Sequence, residues 1–137
     1  MTVVSEHTVA VEYGDCDPSS MVFYPHYFFW FDAATHILFY RVGIGIDDLQ
    51  SRFGIQTPVV DASVRFHHPT RARQIITFKS SIESWHDKSF SVVHQGYRND
   101  KLVVTGKELR MCGVPDPNDP DELKSVSVPQ EIIDAFK

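Results

Sequence analysis

Between Pro25 and Arg41 the chain gathers Phe28, Phe29, Trp30, Phe31, Ala33, Ala34, Ile37, Leu38, Phe39 and Tyr40, which leaves no wide polar face. A helix of that kind must be wrapped by other structure. At about seventeen residues it spans roughly 25 Å. That is short for a membrane span, and Asp32, Thr35 and His36 interrupt it. It is therefore expected to be the buried axis of a globular domain, with no membrane involved. Pro25 suits the first helical position, where a missing N–H costs nothing. Tyr24, in the capping place, is a poor cap, so the amides of Tyr24, His26 and Tyr27 are expected to be free for a ligand. Gly43 and Gly45 suit the exit.

Elsewhere the period is two. Residues 7 to 13 are rich in β-formers and predict a short strand. From Val59 to Phe66 the chain alternates, with Val60, Ala62, Val64 and Phe66 on one side. Gln74 to Trp85 predicts a second long strand, Ser89 to Arg98 a third and Lys101 to Cys112 a fourth. His86-Asp87-Lys88 and Asn99-Asp100 are turns between them, so the pairing is antiparallel. A short helix is expected over Ile46 to Phe53 and another over Val128 to Phe136. Gly113 to Glu122, dense in Pro and Asp, reads as a surface loop. The sum over residues 1–137 is one α+β domain, a five-stranded antiparallel sheet curled around one long helix. Five strands cannot cover such a helix on every side, and the remaining apolar surface points to self-association.

Composition narrows the function. Thirteen Lys and Arg against eighteen Asp and Glu give a net charge of −5, which argues against a nucleic-acid partner. Two cysteines, Cys16 and Cys112, make no disulfide framework. The first residues lack the charged start and apolar core of a signal peptide, so a cytoplasmic location is the expectation.

Ahead of the helix lies a polar loop, Gly14-Asp15-Cys16-Asp17-Pro18-Ser19-Ser20. Asp17 precedes a proline, which biases its backbone toward an extended form able to hold the carboxylate out from a turn. Three blocks carry a resemblance: Gly14 to Pro18, Val22-Phe23-Tyr24-Pro25-His26-Tyr27, and Trp30-Phe31-Asp32-Ala33-Ala34, joined by Trp85, Lys88, Ser89 and Phe90. In these the chain resembles the hotdog-fold acyl-CoA thioesterases of the 4-hydroxybenzoyl-CoA thioesterase family. The resemblance implies a hotdog fold, hydrolysis of an aromatic acyl-CoA without a cofactor, and a homodimer or homotetramer with sites at subunit interfaces. It places Asp17 at the catalytic carboxylate and Tyr24 where a backbone N–H polarises the thioester carbonyl. It places Asp32 where a carboxylate receives the ring hydroxyl. Trp30 and Lys88 lie in the matching blocks and are candidate substrate contacts, and Arg71 and Arg73 are added as candidates by their positive charge. Two departures stand out. Ser19-Ser20 replaces the family's usual glycine, and the turn at Trp85-His86-Asp87-Lys88 is less basic than in the aryl-CoA type.

The chemistry agrees with these assignments and leaves some of them open. Thioester hydrolysis needs a polarised carbonyl, a base or nucleophile, and a pocket. A carboxylate can activate water or attack the carbonyl itself, and free amides at a helix start stabilise the oxyanion. The plain alternative for Asp17 is a turn former; Asp15 is expected to be structural. Asp32 lies about 10 Å further along the helix and needs a partner: an internal Arg, a backbone amide, or a phenolic substrate hydroxyl. Thr35 and His36 are expected to share its face. Arg65, His67, His68, Arg71 and Arg73 form a local basic cluster that would suit CoA phosphates or simply a solvated turn. His67 and His68, adjacent on a strand, point to opposite faces, so no metal site is expected. Cys16 sits among carboxylates that would raise its pKa and disfavour it as a nucleophile.

Overall fold

The computed structural model of the protein describes residues 2–137. Five strands form one antiparallel sheet in the order β1-β3-β4-β5-β2: β1 (Ser5–Ala10), β2 (Val59–Phe66), β3 (Ile75–Trp85), β4 (Ser89–Arg98) and β5 (Lys101–Met111). The long helix α1 (Pro25–Arg41) packs across it, and α2 (Ile46–Ser51) and α3 (Gln130–Ala135) are short. This is the hotdog architecture expected from the sequence, in which a sheet wraps a single long helix.

The pleat explains the packing. On β3 the inward positions are Ile76, Phe78 and Ser80. On β4 they are Phe90, Val92, His94 and Gly96, and on β5 Val104, Gly106, Glu108 and Arg110. Asn99 and Asp100, both in the left-handed region (φ 51° and 64°), close the β4–β5 hairpin, as a two-residue turn between right-twisted strands requires. Gly106 lies directly beneath the Phe31 ring, and a Cβ there would overlap it. That gap lets the helix axis approach the sheet.

The apolar core has two parts along α1. Near the helix start, Tyr27 and Phe31 pack with Val11, Ile76, Phe78 and Val104. Near its end, Leu38 and Phe39 pack with Phe90, Val92, Ile132 and Phe136. Between them Thr35 points into a layer of buried polar side chains, Ser80, His94, Glu108 and Arg110.

Several expectations need correction. Helix α1 is not buried all round: Tyr27, Phe31, Ala34, Thr35, Leu38 and Phe39 are covered, while Phe29 is 66% exposed and Tyr40 56%. Thr35, offset from Asp32 by about 60° of rotation, is buried where Asp32 is half-exposed. The first strand ends at Ala10, and Tyr13–Asp15 is a turn of 3-10 helix. Gly113 to Glu122 is no irregular loop: β6 (Gly113–Asp116) and β7 (Asp119–Ser125) pair as a two-stranded ribbon outside the main sheet. A ribbon with open edges tolerates Pro115 and Pro120, which a central strand would not. Val60, Ala62 and Phe66 are exposed along β2, with only Val64 half-buried, so this chain leaves the apolar side of its edge strand uncovered.

Candidate active site

The loop from Cys16 to Val22 is a small irregular hairpin. Cys16 bridges to Val22 and Met21 to Arg71. Asp17 N–H donates to Met21 O (3.0 Å), Ser20 N–H to Asp17 O (2.9 Å) and Val22 N–H to Thr70 O (2.9 Å). Ser20 holds φ 67°, the left-handed conformation. The loop thus keeps a glycine-like backbone at a serine, at some cost in strain. The Arg71 guanidinium donates to Ser19 O (3.1 Å), clamping the loop to the turn before β3.

Asp17 Oδ1 accepts the Ser19 amide (2.8 Å) and the Ser19 hydroxyl. The hydroxyl chiefly, then the amide, holds the Asp17 carboxyl below the ordinary carboxylate range, against a smaller opposing effect of burial. Asp17 is therefore an anion at neutral pH, and Oδ2 takes no part in the Ser19 contacts. It lines a cleft of about 300 Å³ together with Tyr24, Tyr27, Phe66, His67 and His68. Phe66 on β2 meets the Tyr27 ring at 5.5 Å between centroids, which builds the apolar wall.

At the helix start the sequence expectation holds for one amide of three. His26 N–H donates to Phe23 O (3.0 Å) and Tyr27 N–H to Tyr24 O (3.2 Å), so neither is free. Tyr24 is already helical (φ −53°, ψ −32°), which turns the first carbonyls back onto those donors. Among the described residues the Tyr24 amide has no hydrogen-bond partner. An unpaired N–H at the positive end of a seventeen-residue helix, in the same cleft as an ionised carboxylate, is the arrangement that stabilises a developing oxyanion.

The neighbours of this pair make contacts of their own. Asp15 Oδ2 accepts the Glu12 amide (2.9 Å), and its other oxygen lies 3.3 Å from His26 Nδ1. Burial, and then the Asp15 and Asp17 charges, raise the Cys16 pKa against a hydrogen bond from the Ala72 backbone. His67 Nε2 lies 3.1 Å from Thr105 Oγ1. Burial, and next the positive charge of Lys101, push the His68 pKa down, so its imidazole in the cleft is neutral at pH 7.

The other predicted site residues scatter. Trp30 turns inward, against Tyr27 and Phe78 (centroids 5.3 and 6.1 Å), and does not line the cleft. Arg73 is exposed in the left-handed region, and its amide is tied to Val11 O. Lys88 sits in the turn beyond the far end of β3, roughly 35 Å of strand from the Asp17 loop. Asp32 has found the internal arginine: Arg110 Nη2 donates to its Oδ1 (2.8 Å), and His36 Nε2 lies 3.6 Å from the same oxygen. Sequence reading passed over Arg110, Glu108 and His94. Their signal was present: charged residues at i and i+2 on β5 fall on the parity of Val104 and Gly106, the core side.

A family model of the thioesterase-like superfamily matches residues 11–136. The chain belongs to that superfamily. It is a thioester hydrolase. It is 29% identical, over 131 residues, to the 4-hydroxybenzoyl-CoA thioesterase of Pseudomonas sp. strain CBS-3, covering 90% of this chain and 91% of the relative. The solved structure of that Pseudomonas enzyme superposes with a TM-score of 0.88 at 28% identity, covering 96% of this chain and 98% of the other. A variant 4-hydroxybenzoyl-CoA thioesterase in complex with 4-hydroxybenzoyl-CoA gives 0.89 at 28% identity over 98% and 99%. A gentisyl-coenzyme A thioesterase gives 0.81 at 26% over 96% and 98%. No helix among the described residues of the thioesterase is long and apolar enough to cross a membrane.

Proposed function

We propose that this thioesterase hydrolyses an aromatic acyl-CoA of the 4-hydroxybenzoyl type to the free acid and CoA. The observation that carries the mechanism is the meeting of the ionised Asp17 and the unpaired Tyr24 amide in one apolar-walled cleft. The thioester oxygen accepts from the Tyr24 amide. Asp17 either removes a proton from an attacking water or attacks the carbonyl carbon itself. In both routes the C–S bond breaks and CoA leaves as its thiolate. In the second a mixed anhydride remains, which water then opens. The three solved relatives carry aryl-CoA names, and Asp32, half-exposed on the same helix but outside the lining of its own chain's cleft, is the acceptor in this reading for a ring hydroxyl.

The working unit in this reading is a dimer or a pair of dimers. Lys88 cannot reach the cleft of its own chain, and Trp30 stands behind its wall, against Tyr27. A second copy brings Lys88 to the phosphates of a CoA whose acyl end lies in the first copy's cleft, beside Arg71 and Arg73.

The test is hydrolysis of 4-hydroxybenzoyl-, benzoyl- and butyryl-CoA by the wild type and by Asp17→Asn. The variant should lose about 10²- to 10⁴-fold in kcat. Full activity in Asp17→Asn would reject the mechanism, and a wild type that prefers butyryl-CoA would reject the aromatic substrate.

A further inference from the structure

The layer between the two halves of the core carries charge that the hydrolytic step does not use. Arg110 has a side chain only 4% exposed, as does Glu108. Arg110 Nη2 donates to Glu108 Oε2 (2.9 Å) and Arg110 Nη1 to Thr57 O (3.0 Å). The other oxygen of Glu108 accepts His94 Nε2 (2.9 Å) and the Thr35 hydroxyl, and His94 Nδ1 lies 2.6 Å from Ser80 Oγ. Burial alone raises the Glu108 pKa, but the His94 hydrogen bond, the Arg110 charge and the Thr35 hydroxyl outweigh it and bring it to about 2. Glu108 is thus an anion at any working pH. The His94 ring is itself pinned, stacked on Phe31 at 5.0 Å with an interplanar angle of 5°.

The Arg110 and Glu108 charges balance each other without Asp32. One buried guanidinium and one buried carboxylate cancel, and burial of the pair demands no third charge. Yet Arg110 Nη2 reaches outward to Asp32 Oδ1 at 2.8 Å, and Asp32 is 56% exposed. An exposed carboxylate usually samples several rotamers. Here its partner cannot move, because Glu108 and Thr57 fix the guanidinium from within. Both intrachain contacts of Asp32 fall on Oδ1, and among the described residues Oδ2 has none.

We infer that Arg110 is a positioning residue for substrate selection: anchored by Glu108 and Thr57, it holds Asp32 so that Oδ2 is presented as a stationary acceptor to the polar end of the acyl group. Glu108 and His94 act one step further back, by immobilising Arg110. The inference rests on the aromatic acyl reading above.

It is tested by comparing kcat/KM on 4-hydroxybenzoyl-CoA and benzoyl-CoA for the wild type, Asp32→Ala, Arg110→Lys and the double variant Arg110→Met with Glu108→Gln. The double variant removes both buried charges together, so no unpaired charge is left in the core. It should lose about tenfold of the wild-type preference for the hydroxylated ring, the size expected for one charged hydrogen bond, chiefly through KM. Adding Asp32→Ala should cost no further preference, since both changes remove one interaction. Arg110→Lys, which keeps the charge but not the fork, should lie between and decides the matter if the double variant does not fold. Preference lost in Asp32→Ala but retained in the Arg110 variants would overturn the positioning role alone. Equal falls on both substrates would reduce Arg110 to a structural residue and also overturn it. A wild type indifferent to the ring hydroxyl would overturn the aromatic reading and this inference together.

Discussion

Asp17 carries both Ser19 hydrogen bonds on one oxygen, Oδ1, and the Met21 backbone adds a smaller influence in the same direction. The residue two places on therefore chiefly sets how acidic the proposed nucleophile is, while leaving Oδ2 out of its own contacts. Removing the Ser19 hydroxyl deletes the largest influence that holds the Asp17 pKa down. A base or nucleophile must be ionised, so activity is present above its pKa and falls as pH drops through it. Ser19→Ala raises that pKa toward its ordinary value. The acid limb of the kcat/KM profile should therefore move to higher pH, with the plateau near neutrality kept within a few-fold. An acid limb that stays in place in Ser19→Ala would mean that another group controls it. Of the two serines in the departure from the family's pattern, Ser19 is put to use on Asp17 and Ser20 is tolerated in a left-handed backbone.

At the scale of elements, the docking of α1 on the sheet depends on one missing side chain. Phe31 is fully buried, stacked on His94, edge-on to Phe78 and seated over Gly106. With rings on two sides it has nowhere to retreat. Gly106→Ala should therefore destabilise the fold by about 1–3 kcal/mol, the usual cost of overpacking, read as a lower urea midpoint at unchanged slope. An unchanged midpoint would show that the helix can lift at no cost. The strands of the main sheet and the start of α1 at Pro25 were legible because periods of two and of 3.6 are local properties. The carboxylate of Asp17 and the amide of Tyr24 were legible as neighbours in sequence. What lay hidden depends on pairing between distant segments. Arg110 stands 78 residues from Asp32, and only the β2–β5 and β4–β5 registers bring it beneath the helix. The β6–β7 ribbon was hidden for another reason: its prolines mimic a loop, and only a lack of neighbours on its edges lets them pair at all.

For the whole molecule, apolar surface is left unmet on the edge strand and on the helix. Strand β2 ends the sheet and is paired only with β5. Val59 (41%), Val60 (54%) and Phe66 (50%) are exposed along it, and Phe29 (66%) projects from the helix. An exposed edge with apolar side chains is a template for another strand. A second copy related by a two-fold axis supplies one with matching chemistry, since each side offers the same residues. The same axis would bring Lys88, stranded at the far end of its own chain, toward the neighbouring cleft. Stability, assembly and catalysis are then coupled through one strand. Val60→Lys places a charge on that edge, near its start, and should shift the protein in sedimentation equilibrium to half the assembled mass at micromolar concentration. Hydrolysis should fall at least about tenfold with it, as an interface contact to the CoA phosphates is lost. Lys88→Ala should raise KM while leaving the mass unchanged. A Val60→Lys protein that stays assembled would remove β2 from the interface, and a fully active monomer would show that each chain completes its own site.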